Sequence, residues 1–302
     1  MSPAKPLVSV VIPAFNRRDS VLQLLGDLFR QTGVSFEVIV VDDCSPDGTP
    51  EAVAAAFPQV KILRNERNGG PAVSRNRGIA AAQGEFIVGV DSDVTVPDRS
   101  LLANAAATLR SHPEAAMLAF RLYAADGKSE DGPRWWHPLP LATHAARTFS
   151  THYFSGTGYA GRREALVAAG MYPEILYMHY EEVELAFRVL DRGGVIRYCP
   201  DLPVVHHAHP VAGRSKIKVF YKPRNQILVA LACYPWPRAF AYLAPRLAYN
   251  LGYAVRHGNL ADFIGALGSA WQLGRQRLRD RAPLSADTWR RIAALRKQDP
   301  AA

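Results

Sequence analysis

The triplet Asp91-Ser92-Asp93 follows a buried-type apolar run, Phe86 to Val90. Residues two apart on extended backbone point the same way, so both carboxylates can face one ion. Hard oxygen ligands of this kind suit Mg²⁺ or Mn²⁺, either of which can bridge to a diphosphate. In isolation such a triplet is usually a turn or a helix cap; its place at a strand end, after a buried run, reverses that reading in favour of a metal motif. A second acidic cluster, Asp42-Asp43, opens the segment running to Asp47-Gly48-Thr49. Its carboxylates can accept hydrogen bonds from a base imide or from ribose hydroxyls. The plainer alternative is a turn into a helix, capped by Ser45 or Asp47.

Three further groups complete the inventory. Asn68-Gly69-Gly70-Pro71 leads into a helix start carrying Arg75 and Arg77. Glycines let the backbone approach a ligand, helix amino termini favour anions, and arginines pair phosphate oxygens; a solvated basic helix face is the competing account. Glu181, Glu182 and Glu184 stand in one helical turn. They either complement the helix dipole or supply a general base. His206-His207-Ala208-His209 follows Val204-Val205, where imidazoles serve as metal ligands or as ordinary surface groups.

The elements that position these groups alternate. Short β-branched runs at 7–12, 36–41, 60–63 and 86–90 read as strands, and apolar residues at helical spacing mark helices at 18–31, 49–57 and 71–82. Such alternation implies a mostly parallel sheet with helices on both faces, and its ligand crevice lies beyond the carboxyl ends of the strands. Pro13 to Asn16, Asp42-Asp43 and Asp91 to Asp93 all fall there. Farther on, 126–140 reads as a long surface loop, Gly156-Thr157-Gly158 as the approach to a helix at 163–169, and 180–191 as another helix. From Tyr221 strand signals vanish, so a helical extension is expected over 223–302, after an α/β domain over 1–222.

Composition narrows the classes. Of 302 residues, 48% are hydrophobic, enough for a sizeable core. Cys44, Cys199 and Cys233 are odd in number and lack metal spacing, which argues against a disulfide framework and for a reducing, cytoplasmic setting. Met1 to Pro6 carries no signal-peptide core, and the nearest candidate span, Ala239 to Val255, is broken by Pro245 and Arg246. The net charge of +9 fits nucleic acid, anionic lipid or phosphate-rich ligands; acidic strand ends oppose nucleic acid.

In order along the chain stand Val8-Ser-Val-Val-Ile-Pro-Ala-Phe-Asn16, Val40-Val-Asp-Asp-Cys-Ser-Pro-Asp-Gly-Thr49, Asn68-Gly-Gly-Pro71, Arg75-Asn-Arg-Gly78, Gly84-Glu-Phe-Ile87 and Asp91-Ser-Asp93. Each is short, but the ordered set is specific. Together they resemble the family-two inverting glycosyltransferases of the GT-A fold, over about residues 7–225. The resemblance implies a Rossmann-like α/β sheet, with 7–97 holding a nucleotide-sugar donor and 98–222 the acceptor. It implies donor contacts from Pro13, Phe15 (stacked on the base), Asn16, Asp42, Asp43, Arg75, Asp91 and Ser92. It makes Asp91, Asp93 and His206 the metal group, for Mn²⁺ or Mg²⁺, with Asp93 the direct ligand. Gly156, Thr157, Gly158 and Arg162 fall on the acceptor side. Tyr221 to Asn225 resembles a segment of rhamnosyltransferase-like members.

One departure stands out. The family reads Glu-Asp at the catalytic helix, whereas this chain has Glu181-Glu182. Glu182 is the base by position, with Glu181 beside it, and the extra methylene displaces the carboxylate. The expected reaction is inverting transfer to an acceptor hydroxyl on a glycan or lipid-linked precursor. The rivals are a degenerate partner subunit and a sugar nucleotidyltransferase; the latter needs a Gly-rich basic loop after the first strand, which Pro13-Ala-Phe-Asn16 is not. Phe240, Leu243, Leu247, Leu251 and Val255, beside Arg238, Arg246 and Arg256, form a stripe suited to an anionic membrane surface at the cytoplasmic face of the plasma membrane, or to packing on the catalytic domain.

Overall fold

The computed structural model describes residues 5–208 and 214–297. His209, one of the candidate histidines, lies outside them. The chain opens as β1 (Val8–Ala14), α1 (Arg18–Leu28), β2 (Phe36–Asp42), α2 (Thr49–Ala56), β3 (Lys61–Arg64), α3 (Gly70–Ala81) and β4 (Phe86–Val90). These four strands are parallel in the order β3-β2-β1-β4, with Val8 beside both Phe36 and Phe86. Period-two alternation divides their side chains between two cores. Val11, Ile39, Val41 and Ile87 enter one, and Val10, Ile12, Val40 and Val88 the other. Burial on both faces is why these runs read as nearly continuous apolar segments.

The chain continues through β5 (Val94–Thr95), α4 (Leu101–Ser111), β6 (Ala115–Tyr123), α5 (Leu141–His144), β7 (Phe149–Thr151), β8 (Gly158–Arg162), α6 (Arg163–Ala168), α7 (Glu181–Asp191) and β9 (Val195–His206). The sheet runs β3-β2-β1-β4-β8-β6-β9-β5, with β7 paired to β9. β8 lies antiparallel between β4 and β6, pairing Val90 with Gly158 and Phe86 with Arg162. The sequence hides this strand because Gly-Tyr-Ala-Gly-Arg has no β-branched residue. Its direction matters: it brings Gly158 to the carboxyl end of β4 and carries Arg162 to the opposite edge.

The segment 126–140 is irregular and largely exposed, the surface loop expected, and it carries some local order. Tyr123 bridges to Glu130, Gly132–Arg134 form a 3₁₀ turn, and the Trp135 indole donates to the Leu139 carbonyl at 2.7 Å. After the sheet come α8 (Arg214–Cys233), α9 (Trp236–Arg256), α10 (Leu260–Arg279) and α11 (Ala286–Leu295). Leu228, Val229, Trp289 and Ile292 share the core that holds Leu185, Phe187 and Leu190 of α7. The helical region is thereby packed directly against α7. Among the described residues no helix is long and apolar enough to cross a membrane.

Candidate active site

Three strands deliver their polar ends to one edge. Past β1, Phe15 is exposed and Asn16 takes a left-handed backbone (φ 52°), its N–H donating to the Ser45 hydroxyl at 3.0 Å. Pro13, inside β1, is half-buried. Past β2, the two aspartates divide. Asp42 is fully buried, accepts from the Ser45 N–H at 3.2 Å and faces Arg64 Nε at 3.4 Å, so it braces the turn. Asp43 accepts from Asn65 Nδ2 at 2.6 Å and from the N–H groups of Gly69 and Gly70 at 2.9 and 2.8 Å. It shapes the glycine loop, and its two oxygens, with about four acceptor sites between them, retain room for one more donor. Gly70 is obligatory there: its φ is 81°, and a Cβ would lie 2.7 Å from the Tyr177 ring.

Arg75 of α3 is the hub. Its guanidinium is buried, 2.7 Å from Asp91 Oδ1, 3.3 Å from Glu181 Oε1 and 3.7 Å from Glu182 Oε1, above the Tyr172 ring. Burial opposes its charge, but Asp91, Tyr172, Glu182 and Glu181 together hold it firmly protonated. Asp91 also accepts from the Thr157 hydroxyl at 3.0 Å. Burial pushes the Asp91 carboxyl up, and the surrounding Arg75, Arg134 and His206 more than reverse this. Glu181 is driven the other way. Burial and then the adjacent Glu182 raise it well above the carboxylate range, and its Oε2 is buried without a hydrogen-bond partner. Glu182 is more open than Glu181. Gly156 closes the arrangement, because a Cβ there would fall 2.2 Å from Arg75 Nη2 and 2.7 Å from Glu182 Oε1.

A second cluster lies against β9. His206 is buried, its Nδ1 2.7 Å from Asp131 Oδ2 and its Nε2 3.7 Å from Asp93 Oδ1. Arg134 reaches into the same space, with Nη2 3.3 Å from His206 Nε2 and Nε donating to the Thr157 hydroxyl at 3.2 Å. Burial and Asp91 raise the Asp93 carboxyl, against His206, Arg17 and Arg134. Ser92, between the aspartates, is buried. Asp131 and Arg134 come from the 126–140 loop and were missed in the sequence; the only trace was the density of charge and Trp there.

Do these residues fit a divalent ion? Among the described residues no group of three or more His, Cys, Asp or Glu converges as a ready cage. Both Asp91 oxygens are engaged, by Arg75 and Thr157. Asp93 Oδ1 and His206 Nε2 do converge, and the carboxylate on His206 Nδ1 is the partner that fixes a metal-binding tautomer. The charge already drawn to that spot is the Arg134 cation. The described residues thus bring an oxygen and a nitrogen donor together, Asp93 Oδ1 and His206 Nε2, with the Arg134 guanidinium beside them, which is a partial donor set and not a formed cation site.

The entry to α7 is held under strain. Tyr177, His179 and Tyr180 all have positive φ (62°, 67° and 72°), a conformation that costs non-glycine residues energy. Asn225 Nδ2 lies 2.9, 2.7 and 2.7 Å from the carbonyl oxygens of Leu176, Met178 and His179, and Arg224 Nη2 donates to Leu176 O at 2.7 Å. From the far side, Arg277 of α10 pairs with Glu184 at 2.5 Å. The helix that presents Glu181 and Glu182 is thus clamped by α8 and α10.

Arg162 is the sequence candidate that does not join the others. It sits at the amino end of β4, where its guanidinium donates to the carbonyls of Ala115, Leu109 and His112 and covers the Phe86 ring. It borders an open hollow of about 890 Å³ lined by Lys5, Gly33, Gln83 and Arg110, at the edge of the sheet away from the acidic cluster. The acceptor-side expectation for Arg162 fails on direction, since antiparallel β8 separates it from Gly156, Thr157 and Gly158.

Residues 9–168, more than half of the chain, match the family model described as Glycosyl transferase family 2. The chain belongs to this family. Over 96 residues (31% of this chain, 28% of the relative) it is 47% identical to the succinoglycan biosynthesis protein ExoO of Rhizobium meliloti (strain 1021). Over 115 residues (36% of this chain, 20% of the relative) it is 36% identical to the poly(ribitol-phosphate) beta-N-acetylglucosaminyltransferase TarS of Staphylococcus aureus (strain Mu50 / ATCC 700699). The matches span under a third of both curated relatives. Among solved structures, the mannosyltransferase PcManGT of Pyrobaculum calidifontis, in complex with GDP-Man and Mn²⁺, aligns over 98% of this chain and 88% of its own, with TM-score 0.60 and 23% identity. The S. aureus TarS 1-349 complex with UDP-GlcNAc aligns over 96% and 90%, with TM-score 0.60 and 19% identity. At these identities the likeness is one of fold, and it establishes the GT-A architecture with a C-terminal helical region.

Proposed function

We propose that this family member transfers a sugar from a nucleoside-diphosphate donor to an acceptor hydroxyl with inversion, the donor held by residues 7–97 and the acceptor by 98–222. The observation that carries this reading is the placement of Glu182 and Asp91 on one buried arginine, Arg75. In this reading the arginine holds the base, Glu182, and a donor-side carboxylate, Asp91, across a single site.

In this reading Phe15 offers an exposed face for base stacking, and Asp43 uses its remaining acceptor capacity on the base. Glu182, the more open of the glutamate pair, takes the proton of the acceptor O–H as that oxygen bonds to the anomeric carbon. The bond from this carbon to the diphosphate oxygen breaks, and the diphosphate leaves with the electron pair. Arg75, held charged, would offset the charge that the leaving group gains. A Mn²⁺ or Mg²⁺ held by Asp93 and His206 would supply further charge neutralisation to the diphosphate. The acceptor is a glycan or lipid-linked precursor, in keeping with the polymer-related names of the relatives. The reaction belongs in the cytoplasm, at the face of the plasma membrane, consistent with three unpaired cysteines. The Tyr221–Asn225 segment, which resembles one in rhamnosyltransferase-like members, braces the entry to α7 through Arg224 and Asn225, so it speaks to architecture and leaves the sugar to experiment.

The test is a panel of nucleotide sugars with Mn²⁺, read first by thermal stabilisation and then by transfer. Glu182→Ala should keep the donor-dependent stabilisation and lose transfer by about 10²-fold or more. Normal turnover by that variant removes Glu182 from the base role. No stabilisation by any donor returns the chain to the class of partner subunits.

A further inference from the structure

The helical region carries a surface that the catalytic reading does not use. Of thirteen exposed large hydrophobic residues among those described, ten lie on α9 and α10. On α9, Phe240, Leu251 and Val255 share a helical stripe with the exposed Ala244 and Ala248. On α10, Leu260, Ile264, Leu267 and Trp271 form a second stripe, and Trp271 is 79% exposed. The α9 stripe ends at Val255 and the α10 stripe begins at Leu260, on either side of the turn His257-Gly258-Asn259. The sequence stripe needs correction at Leu243, which packs against the core. Nor are all the arginines available: Arg277 is buried on Glu184, and Arg281 donates to the carbonyls of Leu231 and Tyr234.

Charge separates sharply along the chain. The first 201 residues hold twenty Lys and Arg against twenty-three Asp and Glu. The remainder holds sixteen against four, with no acidic residue between Asp201 and Asp262. The whole basic excess therefore belongs to the region that bears the apolar stripes. Arg238, Arg246, Arg256, Arg275 and Arg279 are exposed there.

We infer that the α9–α10 hairpin docks on an anionic lipid bilayer, with Phe240, Ile264 and Trp271 entering the interface and the exposed arginines meeting the headgroups. Trp and aliphatic side chains beside Arg, on helices that cannot span, are the composition of an in-plane interfacial surface. An anionic leaflet attracts each such cation. A second copy of the chain fits less well, because it would set one basic region against another. The surface stands independently of the transfer reaction and would bring the site to a lipid-borne acceptor.

The test is flotation of the full chain with phosphatidylcholine vesicles and with vesicles that also contain phosphatidylglycerol, at low and high salt. The expected result is binding to the anionic vesicles, weakened by salt, with a blue shift of Trp emission that Trp271→Phe removes. Ile264→Glu with Trp271→Glu should lower partitioning at least about tenfold while keeping the helical circular dichroism and any donor-dependent stabilisation of the wild type. Arg275→Glu with Arg279→Glu should reduce the preference for anionic vesicles. Equal binding to neutral vesicles overturns the charge argument. Absence of vesicle binding overturns the proposal, and a concentration-dependent dimer broken by the Ile264/Trp271 pair would assign the face to self-association instead.

Discussion

Asn225 Nδ2 lies 2.7 Å from the carbonyl oxygen of His179, a residue held at φ 67° just before the helix that carries Glu182. The relationship joins a helix outside the sheet to the geometry of the proposed base. The same amide also faces the carbonyls of Leu176 and Met178. A buried carbonyl left without a donor costs about 1–3 kcal/mol, and the strain at Tyr177, His179 and Tyr180 would lose its restraint. Asn225→Leu should therefore destabilise the fold by about 2–4 kcal/mol, read by denaturant unfolding. It should also lower kcat more than donor affinity, because the α7 entry shifts while the donor-side strands stay in place. A kcat that follows only the folded fraction would leave Asn225 as a stability residue alone.

Asp131 invites a different measurement. Its carboxylate lies 2.7 Å from His206 Nδ1 and leaves Nε2 toward Asp93. Carboxylate partners of this kind fix the ring and raise its basicity, and losing one typically costs about 10–100-fold in metal affinity. Asp131→Asn should thus weaken Mn²⁺ binding by about that factor, measured calorimetrically with nucleotide present. Asp131→Glu should recover part of it. Unchanged affinity would place the cation away from His206.

What the sequence disclosed follows from local chemistry. Val8–Ile12, Val38–Val41 and Phe86–Val90 announce themselves because a doubly covered parallel strand is apolar throughout. The polar residues that follow them therefore fall on one edge, and Asp43, Arg75, Asp91 and Glu182 were all legible. Asp131 and Arg134 were not. Their roles depend on the 126–140 loop reaching His206 of β9, and nothing within the loop encodes that long-range contact. Arg162 misled for the opposite reason: it is near Gly158 in sequence, but a glycine-rich antiparallel strand separates the two. Asn225 was noticed only through resemblance, and its clamp on residues 176–179 appears once α8 is packed.

The segment that supplies Asp131 and Arg134 also contains a group that sets an acid limit. His137 lies among Trp135, Phe149, Tyr153 and Tyr198, with ring centroids 4.7–5.6 Å away, and its Nδ1 is 2.9 Å from the Thr151 hydroxyl. Burial, then the nearby His152, holds its pKa down at about 3, against an ordinary value of 6.5. His152 is held down to about 4, by burial and then Arg296. A depressed folded pKa means that the unfolded chain binds the proton first. The neutral histidines thus contribute stability that is fully present above pH 6.5 and is lost as pH falls toward 4 and 3. Within that window each group adds up to about 1.4 kcal/mol of slope per pH unit. His137→Phe should flatten the dependence of unfolding free energy on pH by about one proton between pH 6 and 4, measured by urea melts across the range. It should have little effect on that slope at pH 8. An identical acid slope in the variant would mean that His137 is already charged, or solvated, in the folded protein.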